Sequence, residues 1–147
     1  MGWVDAIEGQ LIAIDTAPLI YFIEESPVYL PVVLPFFKAL DQQIIQVVTS
    51  TVTLIEVLVQ PLRQNNHNLV KQYREVLTNV AGLTTYPLTV EIAAIAADLR
   101  AKYTLRTPDA VQMATAIYAG AQYLLTNDAR LPDLTNLRRV LLDDCIH

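Results

Sequence analysis

The chain has 147 residues, about one domain's worth. Apolar residues make up 53% and charged ones only 17%, which excludes a disordered chain and hints at spare apolar surface for a partner, such as a second copy. Ten basic and fifteen acidic side chains give a net charge of −5, so no basic surface announces a nucleic-acid binder; a cluster of acids that holds cations would be neutralised when loaded.

The single cysteine, Cys145, excludes an internal disulfide and a cysteine-built zinc cage. Asp5 and Glu8 stand where a secretory signal would be basic, and Ala6 occupies the hydroxyl position of an N-terminal acylation signal that begins Met1-Gly2. The uncharged stretch 110–127 is long enough to suggest a membrane span. Gln112, Thr115, Gln122 and Asn127 interrupt it and Gly120 reads as a helix end, so a cytoplasmic protein without a membrane partner is expected.

In chain order, 10–15 is an apolar, partly β-branched run typical of a buried strand. Thr16 and Pro18 then start a helix to about residue 25. Pro27 and Pro31 mark a loop, and a second helix is expected over 35–41. A second strand falls at 44–49, followed by a helix capped by Ser50 or Thr51 and ended or kinked by Pro61. A polar-faced helix covers 66–79, a weak strand 82–86, and Thr89 caps an alanine-rich helix to about 103. Thr107-Pro108-Asp109 supplies a cap, a first-turn proline and a first-turn acid, and Gly120 closes that helix. Strands follow at 121–126 and 140–142. Strands alternating with helices predict an α/β fold, with a mostly parallel central sheet and helices on both faces. No linker or repeat divides the chain, so one domain over 1–147 is expected.

Four carboxylates stand alone in long uncharged segments: Asp15, Glu56, Asp109 and Asp128. Burying one unpaired carboxylate costs several kcal/mol, on the order of the loss of a whole core contact, so four of them call for compensation. Asp15 ends the first strand and Asp128 follows the strand at 121–126, the edge where open parallel sheets bind ligands. Asp109 lies in the first turn of a helix returning along the sheet, and Glu56 lies early enough in its helix to reach inward. An all-oxygen set suits Mg2+ or Mn2+ rather than zinc, since His67 and His147 have no ligand partner at metal spacing. One or two such ions could polarise a phosphate and activate a water, which is phosphodiester hydrolysis. Each acid also has a plainer role: Asp15 as a helix cap, Asp109 as a complement to its helix dipole, Asp128 as a turn acid, Glu56 as half of a buried pair with an arginine.

Four pieces of the chain resemble the PIN-domain ribonucleases, and within them the toxin half of VapBC toxin–antitoxin pairs. They are Ile12-Ala-Ile-Asp-Thr16, Ser50-Thr-Val-Thr-Leu-Ile-Glu56, Thr107-Pro-Asp-Ala-Val-Gln-Met-Ala-Thr-Ala116 and Leu124-Leu-Thr-Asn-Asp128, and the match runs from about 11 to 142. The resemblance implies a sheet of order 3-2-1-4-5, Mg2+- or Mn2+-dependent endoribonuclease activity, homodimerisation and inhibition by a small antitoxin whose tail fills the groove. It implies Asp15, Glu56, Asp109 and Asp128 as the metal-binding and catalytic acids, with Thr126 assisting by hydrogen bonding and Thr16 joining it. The sequence departs from the pattern where many relatives carry a further acid in an Asp-Phe pair: Arg130 and Leu131 stand there, and Asp133 is the next acid. Arg63, Lys102, Arg106 and Arg130 are candidates for gripping RNA.

Other functions compete. A phosphoryl-transfer receiver would have an adjacent acid pair and a late lysine, and a haloacid-type phosphatase would have Asp-x-Asp where this chain has Asp15-Thr-Ala17. A nuclease of RNA maturation without a toxin role and a non-catalytic module on the same fold are the remaining alternatives. Tyr21, Phe22, Phe36 and Phe37 are expected in the core or a dimer interface, Asp143-Asp144 in an exposed tail, and Trp3 as packing or as an anchor for the N-terminus.

Overall fold

A computed structural model describes residues 2–146. Five strands, β1 (Leu11–Ile14), β2 (Gln46–Ser50), β3 (Leu83–Tyr86), β4 (Tyr123–Thr126) and β5 (Arg138–Leu141), form one sheet in the order β3-β2-β1-β4-β5. Every neighbouring pair is parallel, with Ile12 opposite both Val47 and Tyr123. Six helices connect them: α1 (Thr16–Ile23), α2 (Leu30–Asp41), α3 (Thr51–Arg63), α4 (His67–Asn79), α5 (Val90–Lys102) and α6 (Thr107–Ala119).

Alternation along each strand separates two cores. Ile12, Ile14, Val47 and Leu125 point to the face covered by α1 to α4, where Leu19, Phe36, Tyr73 and Leu77 are buried. Ala13, Val48 and Leu124 point to the other face, under α5 and α6, where Ile92, Ala110, Met113 and Ala114 pack. Every residue from 110 to 116 in α6 is buried. After Asp109 the helix carries no charge because that stretch is enclosed by protein. Among the described residues no helix is long and apolar enough to cross a membrane.

The structure moves several expected boundaries. Helix α2 starts at Leu30, with Pro31 in its first turn and Pro35 inside it. Proline is a favourable starter there, and burial of Val33, Phe36, Phe37 and Leu40 along one stripe carries the helix through the interior proline. Pro61 is likewise buried within the last turn of α3, which continues to Arg63. Arg106, not Thr107, is the residue before α6. The Thr107 hydroxyl instead accepts from Arg100 Nη1 at 3.0 Å. The last strand begins at Arg138, and Asp143 and Asp144 are exposed as expected but lie in a short 3-10 turn, where Asp143 accepts from the Tyr29 hydroxyl at 2.5 Å. Trp3 stacks on Phe36 at 6.0 Å and donates to the Val32 carbonyl. Phe36 and Phe37 are buried, Tyr21 and Phe22 half-buried, and His67 exposed; Met1 and His147 lie outside the described residues.

Gly120 ends α6 at φ +80°, and its N–H returns to the last turn. A Cβ there would meet nothing within 4 Å, so only backbone strain opposes a larger residue. Gly120→Ala is expected to lower stability by about 1–2 kcal/mol in urea unfolding, with an unchanged denaturant slope.

Candidate metal centre

The order β2-β1-β4 makes the gap above β1 and β4 the point where successive connections leave in opposite directions, and side chains following those strands face a common crevice. Asp15 follows β1 as the residue capping α1, and its backbone N–H donates to Leu125 O of β4 at 3.0 Å. Its carboxylate accepts from Thr16 N at 2.8 Å and from Thr126 Oγ1 at 2.9 Å. Thr126, the last residue of β4, is fully buried and also accepts from Asp128 N at 3.0 Å. One threonine thereby ties the first acid to the backbone of the fourth.

Glu56 projects from the second turn of α3 and accepts from Thr16 Oγ1 at 2.6 Å. It is exposed, and no ion pair among the described residues includes it, which removes the pairing with a buried arginine. Asp109 sits in the first turn of α6, paired with Arg106 Nε at 3.3 Å. Asp128 is gripped by Arg130 through both carboxylate oxygens, Nε to Oδ1 and Nη2 to Oδ2, each at 3.0 Å. Arg130 N also closes a turn on Asp128 Oδ1. Asp109, Asp128, Arg106 and Arg130 line one cleft of about 300 Å³.

Isolation in the sequence is therefore not burial in the fold. The four acids occupy the half-open rim of the crevice, and Asp15 carries a marked desolvation cost. Burial pushes its carboxyl above the usual range; hydrogen bonds from Thr16 and Thr126 pull it down, and the charges of Asp109 and Glu56 raise it further. Asp128 moves the other way, held low chiefly by the Arg130 guanidinium. Among the described residues no three acidic, histidine or cysteine side chains stand close enough to hold one metal ion. Asp15 and Glu56 meet through Thr16, while Asp109 and Asp128 are turned to arginines. The donor chemistry, four carboxylates with hydroxyls beside them, fits a hard divalent cation. Gathering all four around it requires Asp109 and Asp128 to leave Arg106 and Arg130.

Asp133 does not substitute for the missing fifth acid: it accepts from Arg139 N at 2.8 Å and pairs with Arg138, lining a different cleft. Of the candidate RNA-gripping residues, Arg106 and Arg130 stand at the crevice, whereas Lys102 pairs with Asp98 on α5. Behind the acids lies a buried polar network not anticipated from the sequence, in which Ser50, Thr53 and Thr16 all contact Gln112. An amide within the uncharged run of α6 was its visible signal.

A five-stranded parallel sheet with acids at the switch between β1 and β4 defines an α/β protein with a carboxylate-rimmed crevice. The PIN domain family model matches residues 12–137, and the chain belongs to that family. Its fold is similar to VapBC2 from Rickettsia felis, crystallised bound to a DNA fragment from their promoter: 15% identity over 89% of this chain and 98% of that one, TM-score 0.69. It is also similar to VapC20 from Mycobacterium tuberculosis, a sarcin-ricin loop cleaving toxin: 14% identity, 77% and 86% coverage, TM-score 0.62. A third match is VapBC-5 from the same organism, a member of the VapBC family of toxin-antitoxin systems: 21% identity, 90% and 98% coverage, TM-score 0.57. No curated protein matches the chain by sequence.

An acid whose carboxyl is raised in the fold is destabilising when ionised. The penalty is absent below the ordinary carboxylate pKa and fully present above the raised one. Asp15→Asn is therefore expected to be more stable than wild type at neutral pH in EDTA, with the difference vanishing as pH falls below the carboxylate range. Thermal unfolding of both proteins from about pH 3 to pH 8 measures it.

Proposed function

We propose that the protein is a Mg2+- or Mn2+-dependent endoribonuclease, the toxin of a VapBC-type toxin–antitoxin pair acting in the cytoplasm. The observation that carries this reading is the half-buried Asp15 carboxylate, raised by burial and by the like charges of Asp109 and Glu56. A site that draws acids together against their own repulsion gains most from a cation of high charge density. Membership of the PIN family and a fold shared with toxin–antitoxin proteins support the same reading.

Asp15, Glu56, Asp109 and Asp128 would hold one or two ions. Thr126 orients Asp15, and Thr16 orients Glu56. When bound, the cation supplies charge stabilisation to the phosphate under attack. Arg106 and Arg130, both largely exposed at the rim, would offer planar donors to the flanking phosphates of the RNA when not engaged by Asp109 and Asp128. The net charge of −5 is offset locally by those arginines and by the ions.

An exposed apolar stripe lies next to Glu56. Ile55, Val59 and Leu62 are exposed at 64%, 39% and 56% and share one stripe of α3, beginning beside Glu56. The apolar tail of a small antitoxin laid along this stripe would cover the crevice. Homodimerisation is carried over from the family resemblance and is tested by the mass of the purified protein in solution.

Purified protein is expected to cleave RNA with Mg2+ or Mn2+ and to lose activity in EDTA. Asp15→Asn should reduce cleavage at least about a thousandfold with the fold retained, since several kcal/mol of charge stabilisation would go. Wild-type rates in the purified Asp15→Asn protein would show the site to be elsewhere. Growth arrest on induction, relieved by a small co-expressed partner, separates a toxin from a maturation nuclease.

A further inference from the structure

Gln112 is 4% exposed, in the middle of an otherwise apolar buried stretch of α6. An apolar side chain would fill that space without desolvating an amide, which is costly unless every group is paired. Its partners are paired in a directional chain. Thr49 Oγ1 donates to the Ile14 carbonyl at 3.0 Å, so in its 2.8 Å contact with Thr53 Oγ1 the latter is the donor. Thr53, its proton committed, accepts from Gln112 Nε2 at 2.7 Å. Gln112 Oε1 accepts from Ser50 Oγ at 2.6 Å.

These contacts fix which way the amide faces, since a flipped amide would set its oxygen against a hydroxyl with no proton to give. In the fixed orientation Nε2 also reaches Thr16 Oγ1 at 3.4 Å. Thr16 then acts as acceptor toward Gln112 and directs its only proton to Glu56 Oε1 at 2.6 Å. The chain runs from the carbonyl next to Asp15, through β2, α3 and α6, to the Glu56 carboxylate.

We propose that Gln112 is a positioning residue that aims the Thr16 hydroxyl at Glu56, holds that carboxylate toward Asp15, and thereby sets the affinity of the site for a divalent cation. The inference rests on the proposed metal-dependent function and adds a residue that never touches the ion. Groups that orient metal ligands from behind typically change affinity 10–100-fold when removed.

Mn2+ titration of the purified full chain, followed by electron paramagnetic resonance or calorimetry, tests it. Gln112→Leu and Thr16→Val should each weaken Mn2+ binding by about 10–100-fold, and the double variant should be no weaker than the worse single one. Thr115→Val is the control: Thr115 is equally buried in α6 but bonds only to the Val111 carbonyl, so its loss should alter stability and not Mn2+ binding. Should Gln112→Leu fail to fold, Gln112→Met, unbranched and of similar length, takes its place beside Thr16→Val. Wild-type affinity in the Gln112 variant, or losses that multiply in the double variant, overturns the inference. Absence of Mn2+ binding in wild type overturns the metal-dependent function and the inference with it.

Discussion

The carboxylate of Asp15 is the point around which the crevice is organised. It closes the end of β1, caps α1, bonds to the threonine that ends β4, and takes the charge of two further acids. A parallel sheet alone would leave the carboxyl ends of its strands with unpaired groups pointing at solvent. Here they converge on one ionised side chain whose charge the fold penalises. That penalty is tolerable because the apolar core beneath is large on both faces of the sheet.

Plain structural duties at these positions leave carboxylate oxygens available for chemistry. Asp15 is a helix cap and Asp128 closes its own turn, as local sequence chemistry alone would have it. Neither duty uses up the carboxylate, since a cap or turn engages one oxygen and leaves lone pairs free. Glu56 differs: nothing in helix formation calls for it, and its one hydrogen bond comes from a residue forty positions away. Arg106 and Arg130 act as internal counter-charges at Asp109 and Asp128, and a cation bound there would have to compete with them.

Much of this was legible from residues alone. Strand and helix order follows from apolar runs punctuated by Gly, Pro and capping hydroxyls, and the sheet order from the family resemblance. The acids were visible because charge is so scarce around them. Three things were not. Pro35 read as a helix start and Pro61 as an end or kink, because burial of neighbouring side chains is a tertiary effect that local propensity does not contain. The rim-like exposure of the acids was hidden, because a segment's lack of charge says nothing about which side of it faces water. The Gln112 network was hidden because Ser50, Thr53 and Thr16 become its neighbours only when β1, β2, α3 and α6 pack, and the lone amide, though visible in an uncharged run, does not name its partners.

The most direct measurement is a crystal structure of the protein soaked in Mn2+, with the ion located by its anomalous scattering. The account predicts a peak in the crevice above β1 and β4, bound by oxygens of Asp15 and at least two of Glu56, Asp109 and Asp128, with Arg130 turned away from Asp128. A crevice left without manganese at saturating Mn2+, with Asp109 and Asp128 still on their arginines, would contradict it.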